Sequence, residues 1–291
     1  MPDPLATARG SDTVSIAMSA QAIITLLTDF GTEDYFVGAM KGVILSANPA
    51  AQIVDLTHDI PPQDIHAGAF NLLAVYKDFP RGTIHVAVVD PGVGSNRRPI
   101  LIECGDQFFV GPDNGLFSWI CEREGNWRAH YLTSEKLFRH PTRRTFHGRD
   151  VFAPVAAALS NGAKPEEVGP VIDKIVELES LTPITTKDGK IEGKIIHIDR
   201  FGNCITNLTA SHVRSNDSAP RLLVNDADIN LFREFFSENS SSDNDLFMIP
   251  GSAGFIEIAA QNSSAANILN ARRGQSVTLI RDAADKKSTS S

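Results

Sequence analysis

The sequence predicts an α/β protein: an N-terminal three-layer α/β domain with a largely parallel sheet, followed by a smaller C-terminal antiparallel β-barrel domain. Three observations predict it. Between Ala22 and Leu178, short apolar runs alternate with segments of helical period. The run TIHVAVVD (Thr83–Asp90) is almost continuously apolar, as strands buried on both faces of a parallel sheet are. Beyond Leu181 the pattern changes to short strands separated by turns. The chain has 291 residues, enough for two ordinary domains.

The elements follow in order. AIITLL (Ala22–Leu27) is a buried strand. Phe36, Val37, Met40, Val43 and Ile44 recur at helical spacing within Tyr35–Ala47. QIVDL is the second strand. Asp64 is placed to cap a helix whose Ile65, Ala69, Leu72, Leu73 and Tyr76 share one face. TIHVAVVD is the third strand, and PILIEC and QFFVG flank the Gly105-Asp106 turn. Leu116–Arg123 and Val151–Leu159 are short helices. In the second half, strands are predicted at KIIHID, RLLV, FMIP, FIEIAA and SVTLI. The expected boundaries are a disordered leader over 1–20, the α/β domain over 21–180, a linker over 181–190, the barrel over 191–283 and a tail over 284–291. Leu231–Asn244, with its Ser/Asn/Asp cluster, is expected to be a mobile loop.

Composition narrows the function. Hydrophobic residues make up 42% and charged residues 21%, so a core can form. With 27 basic and 35 acidic residues the net charge is −8, which argues against a nucleic-acid or anionic-membrane partner. No apolar run reaches the ~18 residues of a membrane span, and the N-terminus lacks the pattern of a secretory signal. Three widely spaced cysteines, Cys104, Cys121 and Cys204, suit reduced thiols in a cytoplasm.

Ligands of open α/β sheets bind beyond the carboxyl ends of the strands, and here those ends are polar. The first ends in Thr28-Asp29-Phe30-Gly31, with Asp34 close behind. The second ends in Asp55-Leu56-Thr57-His58-Asp59, and the third in Asp90-Pro91-Gly92-Val93-Gly94-Ser95 with Arg97 and Arg98 following. Thr145-Phe146-His147-Gly148-Arg149-Asp150 precedes a helix. A lone Asp before a turn is usually structural, but four such ends in one sheet point to a site. Gly92-x-Gly94 lacks the third glycine of a dinucleotide fingerprint and the Lys-Ser/Thr of a P-loop. Asp29, Asp55, His58, Asp59, Asp90 and His147 are candidate metal ligands by type, although no pair has a strong ligand spacing. Without metal, Asp90 and His147 can share the proton of a water while Arg97 favours the hydroxide. The acidic rim of Asp29 and Asp34 suits a cationic substrate.

The segments TDFGTEDYFVGAMKG, VVDPGVGSNRR, PDNGLF, TFHGRDVFAPVAA and IDRFGNCITN together resemble the S-adenosylmethionine (SAM) hydrolases, also called SAM hydroxide adenosyltransferases, which are relatives of the fluorinase and chlorinase. The resemblance spans about residues 22–280. It implies hydrolysis of SAM to adenosine and methionine, with no cofactor or metal, by a cytoplasmic homotrimer whose active site lies between subunits. It implies that Asp90, Arg97 and His147 hold the attacking water. Asp29 would bind the ribose hydroxyls and Asp34 the methionine end. Phe201 and Asn203 would contact adenine, Asp199 would face the ammonium, and Ser252 and Glu257 would also contact SAM. The halogenating relatives carry Tyr and Ser where this sequence has Asp90 and Gly148, which aligns it with the hydroxide users. Gln261 and Ser263 depart from the residues usual in the hydrolases, and Gln63 stands where the fluorinase has an aromatic residue over the ribose. The alternatives are a SAM-dependent halogenase and a non-catalytic SAM or adenosine sensor.

Overall fold

The computed structural model describes residues 22–213, 220–236 and 244–280. The predicted leader (1–20) and tail (284–291) fall outside these residues.

The first half is built on a seven-stranded sheet. Its strands are β1 (Ile23–Thr28), β2 (Gln52–Thr57), β3 (Ile84–Val88), β4 (Pro99–Cys104), β5 (Gln107–Pro112), β6 (Trp127–Tyr131) and β7 (Val171–Ile172). The order is β2-β1-β3-β5-β4-β6-β7. The contiguous strands β2, β1, β3 and β5 are parallel, and the pairings from β5 through β7 are antiparallel. The central strand β3 is buried at every position, as its unbroken apolar run requires. Helices cover both faces: α1 (Phe36–Ala47) and α4 (Ala153–Ser160) pack with Ile24, Val86 and Val88 on one. On the other, α2 (Ile65–Val75) and α3 (Ser118–Glu124) pack with Leu27, Ala87 and Phe109. Asp64 caps α2 as its sequence position predicts, with Oδ1 accepting from Ala67 N at 3.0 Å.

The second half forms an antiparallel sheet of β8 (Ile184–Thr185), β9 (Ile191–Ile198), β10 (Cys204–Thr209), β11 (Arg221–Val224), β12 (Ala227–Ile229), β13 (Leu246–Pro250), β14 (Phe255–Ala260) and β15 (Ser276–Ile280). The path runs β12-β11-β15-β9-β10-β14-β13, with β8 paired to β9. A bridge between Phe232 and Met248 draws the β12 end toward β13 and nearly closes the sheet on itself. Ile195, Leu208, Leu222, Met248, Ile256 and Leu279 fill its interior. Two short helices, α5 (Ala210–Val213) and α6 (Ala265–Leu269), complete it.

Two segments differ from expectation. Within 181–190, Ile184 and Thr185 pair with β9, so this stretch is partly sheet. At the start of the expected loop over 231–244, Arg233 is buried, donating to Gln261 Oε1 at 2.8 Å and lying over the Phe247 ring. Residues 237–243 lie outside the described residues.

The two sheets share a packed boundary. Phe70 of α2 stacks on His197 of β9 with ring centroids 4.4 Å apart, and Ile196, Ile205 and Phe255 join the core beneath α2 and α3. Asp64 reaches across to Arg273 at 2.6 Å.

Candidate active site

Parallel alignment brings the carboxyl ends of β1 and β3 to one edge of the sheet. Thr28 pairs with Val88, so Asp29 and Asp90 emerge one and two residues beyond a matched pair. They border a cavity of about 460 Å³ whose wall also includes Phe30, Phe36, Gln63, Phe146 and His147.

Asp90 and Arg97 form the tightest contact in this wall. Arg97 Nε donates to Asp90 Oδ1 at 2.8 Å and to Oδ2 at 3.0 Å, and Nη2 also donates to Oδ2. Their side chains are 5% and 9% exposed, so water screens the pair little. Arg97 Nη2 reaches His147 Nδ1 at 2.9 Å, and the guanidinium lies over the Phe152 ring. Nη1 is buried and has no hydrogen-bond partner among the described residues. Burial, reinforced by the Arg97 charge, pushes the His147 pKa below its ordinary value.

The local backbone explains how residues from two distant segments meet. Gly94 has φ +79°, and a Cβ there would come within 2.7 Å of the Arg144 carbonyl oxygen. Glycine at this position therefore lets the Asp90–Arg97 loop dock closely on the segment before His147. That segment is anchored by buried Asp150, which accepts from Arg149 Nε at 2.6 Å and from the backbone N–H of Arg143 at 2.8 Å. A π-helical turn over Gly148–Phe152 follows, leading into α4.

Asp29 is held differently. Its Oδ2 accepts from the backbone N–H of Gln63 at 2.8 Å, and Gln63 adopts φ +65°. Burial raises the Asp29 pKa, opposed by that N–H and assisted by the charge of Asp90. Behind it, Thr28 Oγ1 contacts His58 Nδ1 at 2.9 Å and accepts from Phe30 N, while Gly31 N donates to the His58 carbonyl at 2.8 Å. Asp55 pairs with Lys41 at 2.6 Å. His58 and Asp55 are thus committed to shaping the Asp29 turn and the α1–β2 surface. Among the described residues, no three His, Cys, Asp or Glu side chains are grouped as a metal site would require.

The other sequence candidates lie elsewhere. Asp34 is exposed in the turn before α1 and does not line the cavity. Asp199, Phe201 and Asn203 lie in the loop between β9 and β10, Ser252 in the loop between β13 and β14, and Glu257 in β14, and none of them lines the cavity either. Asp199 organises its own loop. Its Oδ1 accepts from Phe201 N at 2.9 Å and Asn203 N at 2.8 Å, and its Oδ2 from Asn203 Nδ2 at 2.9 Å. Phe201 is 78% exposed as a result. Glu257 feels Asp199, and burial together with that negative charge raises its pKa.

Sequence reasoning missed the aromatic wall. Phe30, Phe36 and Phe146 meet with centroids 5.2–6.0 Å apart. The sequence pattern places Phe36 only on the helix face; the signal it does carry is that all three phenylalanines adjoin the polar segments after β1 and before α4.

Residues 24–169 match the SAM hydroxide adenosyltransferase N-terminal domain, and residues 193–278 match the corresponding C-terminal domain. The chain belongs to the SAM hydroxide adenosyltransferase family. It is 37% identical over 267 residues to the (R)-S-adenosyl-L-methionine hydrolase of Methanocaldococcus jannaschii, covering 85% of this chain and 92% of that one. A second hydrolase of that name, from Thermus thermophilus, is 36% identical over 266 residues, covering 88% and 99%. The crystal structure of an uncharacterized conserved protein from Thermotoga maritima superposes with a TM-score of 0.81 at 33% identity, covering 89% of this chain and all of that one.

Proposed function

We propose that this protein hydrolyses S-adenosyl-L-methionine to adenosine and L-methionine without a metal or cofactor. The observation that carries the reading is the contact of Arg97 with both Asp90 and His147 in the wall of a cavity bordered by Asp29.

The reaction forms a bond from a water oxygen to the ribose 5′ carbon as the bond from that carbon to sulfur breaks. The bonding pair moves to sulfur, so the sulfonium leaves as the neutral thioether of methionine and needs no general acid. The water loses one proton. Asp90 and His147 share or relay it, and Arg97, with an uncommitted Nη1, stabilises the oxygen as it becomes anionic. Asp29 accepts hydrogen bonds from the ribose diol, fixing the 5′ carbon near the nucleophile. Such positioning can contribute much of the acceleration. The Asp90 carboxylate disfavours halide, which argues for hydroxide as the nucleophile.

The site is completed by a second copy of the chain in a homotrimer. The support is the exposed Phe201, together with the absence of Asp199, Asn203, Ser252 and Glu257 from the cavity lining of their own chain. A neighbour could present them over the cavity, with Phe201 against adenine, Asp199 facing the ammonium, and Asp34 joining them at the methionine end. In this reading the chain divides into an α/β domain over 21–180 and a barrel domain over 191–283, and works in the cytoplasm. Its three buried, free cysteines suit that compartment. Among the described residues, no helix is long and apolar enough to cross a membrane.

Product analysis tests the reading. Purified protein is incubated with SAM, with and without chelator and added chloride, and the products are separated. Adenosine and methionine in equal amounts, insensitive to both additions, are expected. A 5′-chloro product, loss of activity with chelator, or SAM binding without turnover would each overturn it.

A further inference from the structure

Asp29 is fixed from behind by residues that do not reach the cavity. The segment from His58 to Gln63 grips it at both ends. At one end, the Gln63 N–H donates to Asp29 Oδ2 at 2.8 Å. At the other, the His58 carbonyl accepts from Gly31 N at 2.8 Å, and the His58 ring lies with Nδ1 2.9 Å from Thr28 Oγ1. Thr28 and Gly31 bracket Asp29 and Phe30, which both line the cavity. Thr28 and His58 are buried and do not line it.

The chemistry of the neighbours sets the direction of each hydrogen bond. His58 Nε2 lies 3.1 Å from Asp55 Oδ1. The alignment falls short of a hydrogen bond, but a carboxylate only accepts, and one so close favours the ring proton on Nε2. Nδ1 is then the acceptor, and the Thr28 hydroxyl donates to it. The Thr28 oxygen is left to accept, and it takes the Phe30 N–H at 3.2 Å. Lys41 holds Asp55 from the other side at 2.6 Å. Every donor from Phe30 to His58 therefore points toward Asp55. Thr28 is fully buried, so its hydroxyl cannot turn away without leaving Nδ1 unpaired.

This chain lends Asp29 no charge. It restricts the backbone on either side of Asp29, and so the aim of the carboxylate. Aim matters for a diol more than for a single hydroxyl. Two hydroxyls on adjacent carbons need two distances satisfied at once, and a carboxylate that swings loses one of them.

Resting on the hydrolase reading, in which Asp29 binds the ribose diol, we propose that Thr28 and His58 are positioning residues that set the preference for ribose over 2′-deoxyribose in the substrate.

The test follows kcat/KM for SAM and for its 2′-deoxy analogue. Binding of adenosine and 2′-deoxyadenosine is measured separately, by calorimetry on the assembled protein. The wild-type protein is expected to prefer the ribose form in both. Thr28→Val removes the hydroxyl at nearly constant shape and should cut that preference roughly tenfold, the cost of one lost hydrogen bond. Thr28→Ser, which keeps the hydroxyl, should retain most of it. His58→Phe should act as Thr28→Val does, and Thr28→Val decides alone if His58→Phe fails to fold. General damage to the fold would weaken both forms together and leave their ratio unchanged. An unchanged ratio in Thr28→Val, an equal loss in Thr28→Ser, or no preference in the wild type overturns the proposal. Adenosine preferred through Thr28 by a protein that never cleaves SAM would instead overturn the hydrolase reading and leave the positioning role standing.

Discussion

Arg97 Nη2 lies 2.9 Å from His147 Nδ1, and this contact sets the tautomer of the histidine. A guanidinium only donates. Nδ1 must therefore accept, and the ring proton of neutral His147 resides on Nε2. In this state the imidazole offers an N–H toward its surroundings and cannot take a second proton without losing Arg97. Asp90 is in turn held by Arg97 through both oxygens. One guanidinium thus governs the hydrogen-bonding capacity of both proton-accepting groups. Water deprotonation would have to pull His147 or Asp90 partly away from Arg97, as its positive charge shifts toward the forming hydroxide.

Activity should fall on the acid side as His147 protonates. Burial and Arg97 set its pKa below 6.5. The neutral, Nδ1-accepting form therefore persists through neutrality and is lost only at lower pH, where imidazolium and guanidinium would repel. A plot of kcat/KM against pH should stay level down to about pH 6.5 and then decline. A decline beginning well above neutrality would refute the Arg97–His147 arrangement.

Removing either proton acceptor should harm turnover more than binding. Asp90→Ala and His147→Ala are each expected to lower kcat by roughly 10²–10⁴-fold, the usual worth of general-base assistance. SAM affinity, measured by calorimetry, should change by less than about tenfold. Wild-type rates in both variants would remove these residues from the mechanism. Arg97→Ala separates nothing by itself, because it also releases the Asp90 loop.

His85 makes stability depend on pH. It is fully buried in β3, with Nδ1 2.7 Å from Thr25 Oγ1 and Nε2 3.3 Å from Gln107 Oε1. Burial lowers its pKa from 6.5 to about 4. Between those values the unfolded chain binds the proton more readily, so stability rises with pH. The contribution is complete above pH 6.5 and is lost as pH falls toward 4. Unfolding in urea should show a loss on the order of 2 kcal/mol between pH 7 and pH 5 from this group. His85→Gln, which does not titrate, should flatten that dependence. An equal slope in the variant would assign the effect to other groups.

The legible parts of the fold were those whose residues agree with their burial. β3 is apolar and buried throughout, and Asp64 caps α2 where a cap residue belongs. β10, CITNLT, escaped because its buried polar side chains look exposed in sequence. Thr206 Oγ1 instead donates to the Ile256 carbonyl at 2.8 Å, and Asn207 Oδ1 accepts from Lys194 N at 2.7 Å. Arg233 escaped for the same reason, as an arginine beside a polar run that is buried against Phe247. At the site, the polar strand ends marked Asp29 and Asp90 because parallel strands deliver their ends to one edge. The Arg97–His147 contact was not legible from spacing, since its residues are 50 apart and meet through the docking of two loops.

The proposed sharing of sites between subunits makes a quantitative prediction by complementation. Asp90→Ala disables the α/β half of a site, and Phe201→Ala removes the most exposed aromatic of the barrel half. Phe201 is not part of the cavity formed by its own chain. If each site pairs the α/β half of one subunit with the barrel half of its neighbour, the two variants complement each other. Unfolded and refolded together in equal amounts, they assemble at random. A site is wild type when its α/β half comes from the Phe201→Ala chain and its barrel half from the Asp90→Ala chain, which happens for about a quarter of sites. The mixture should regain about a quarter of wild-type activity above the residual activity of either variant refolded alone. Sites formed within one chain would always carry one lesion, so no recovery in mixtures shown by mass spectrometry to contain both chains would rule out the shared site.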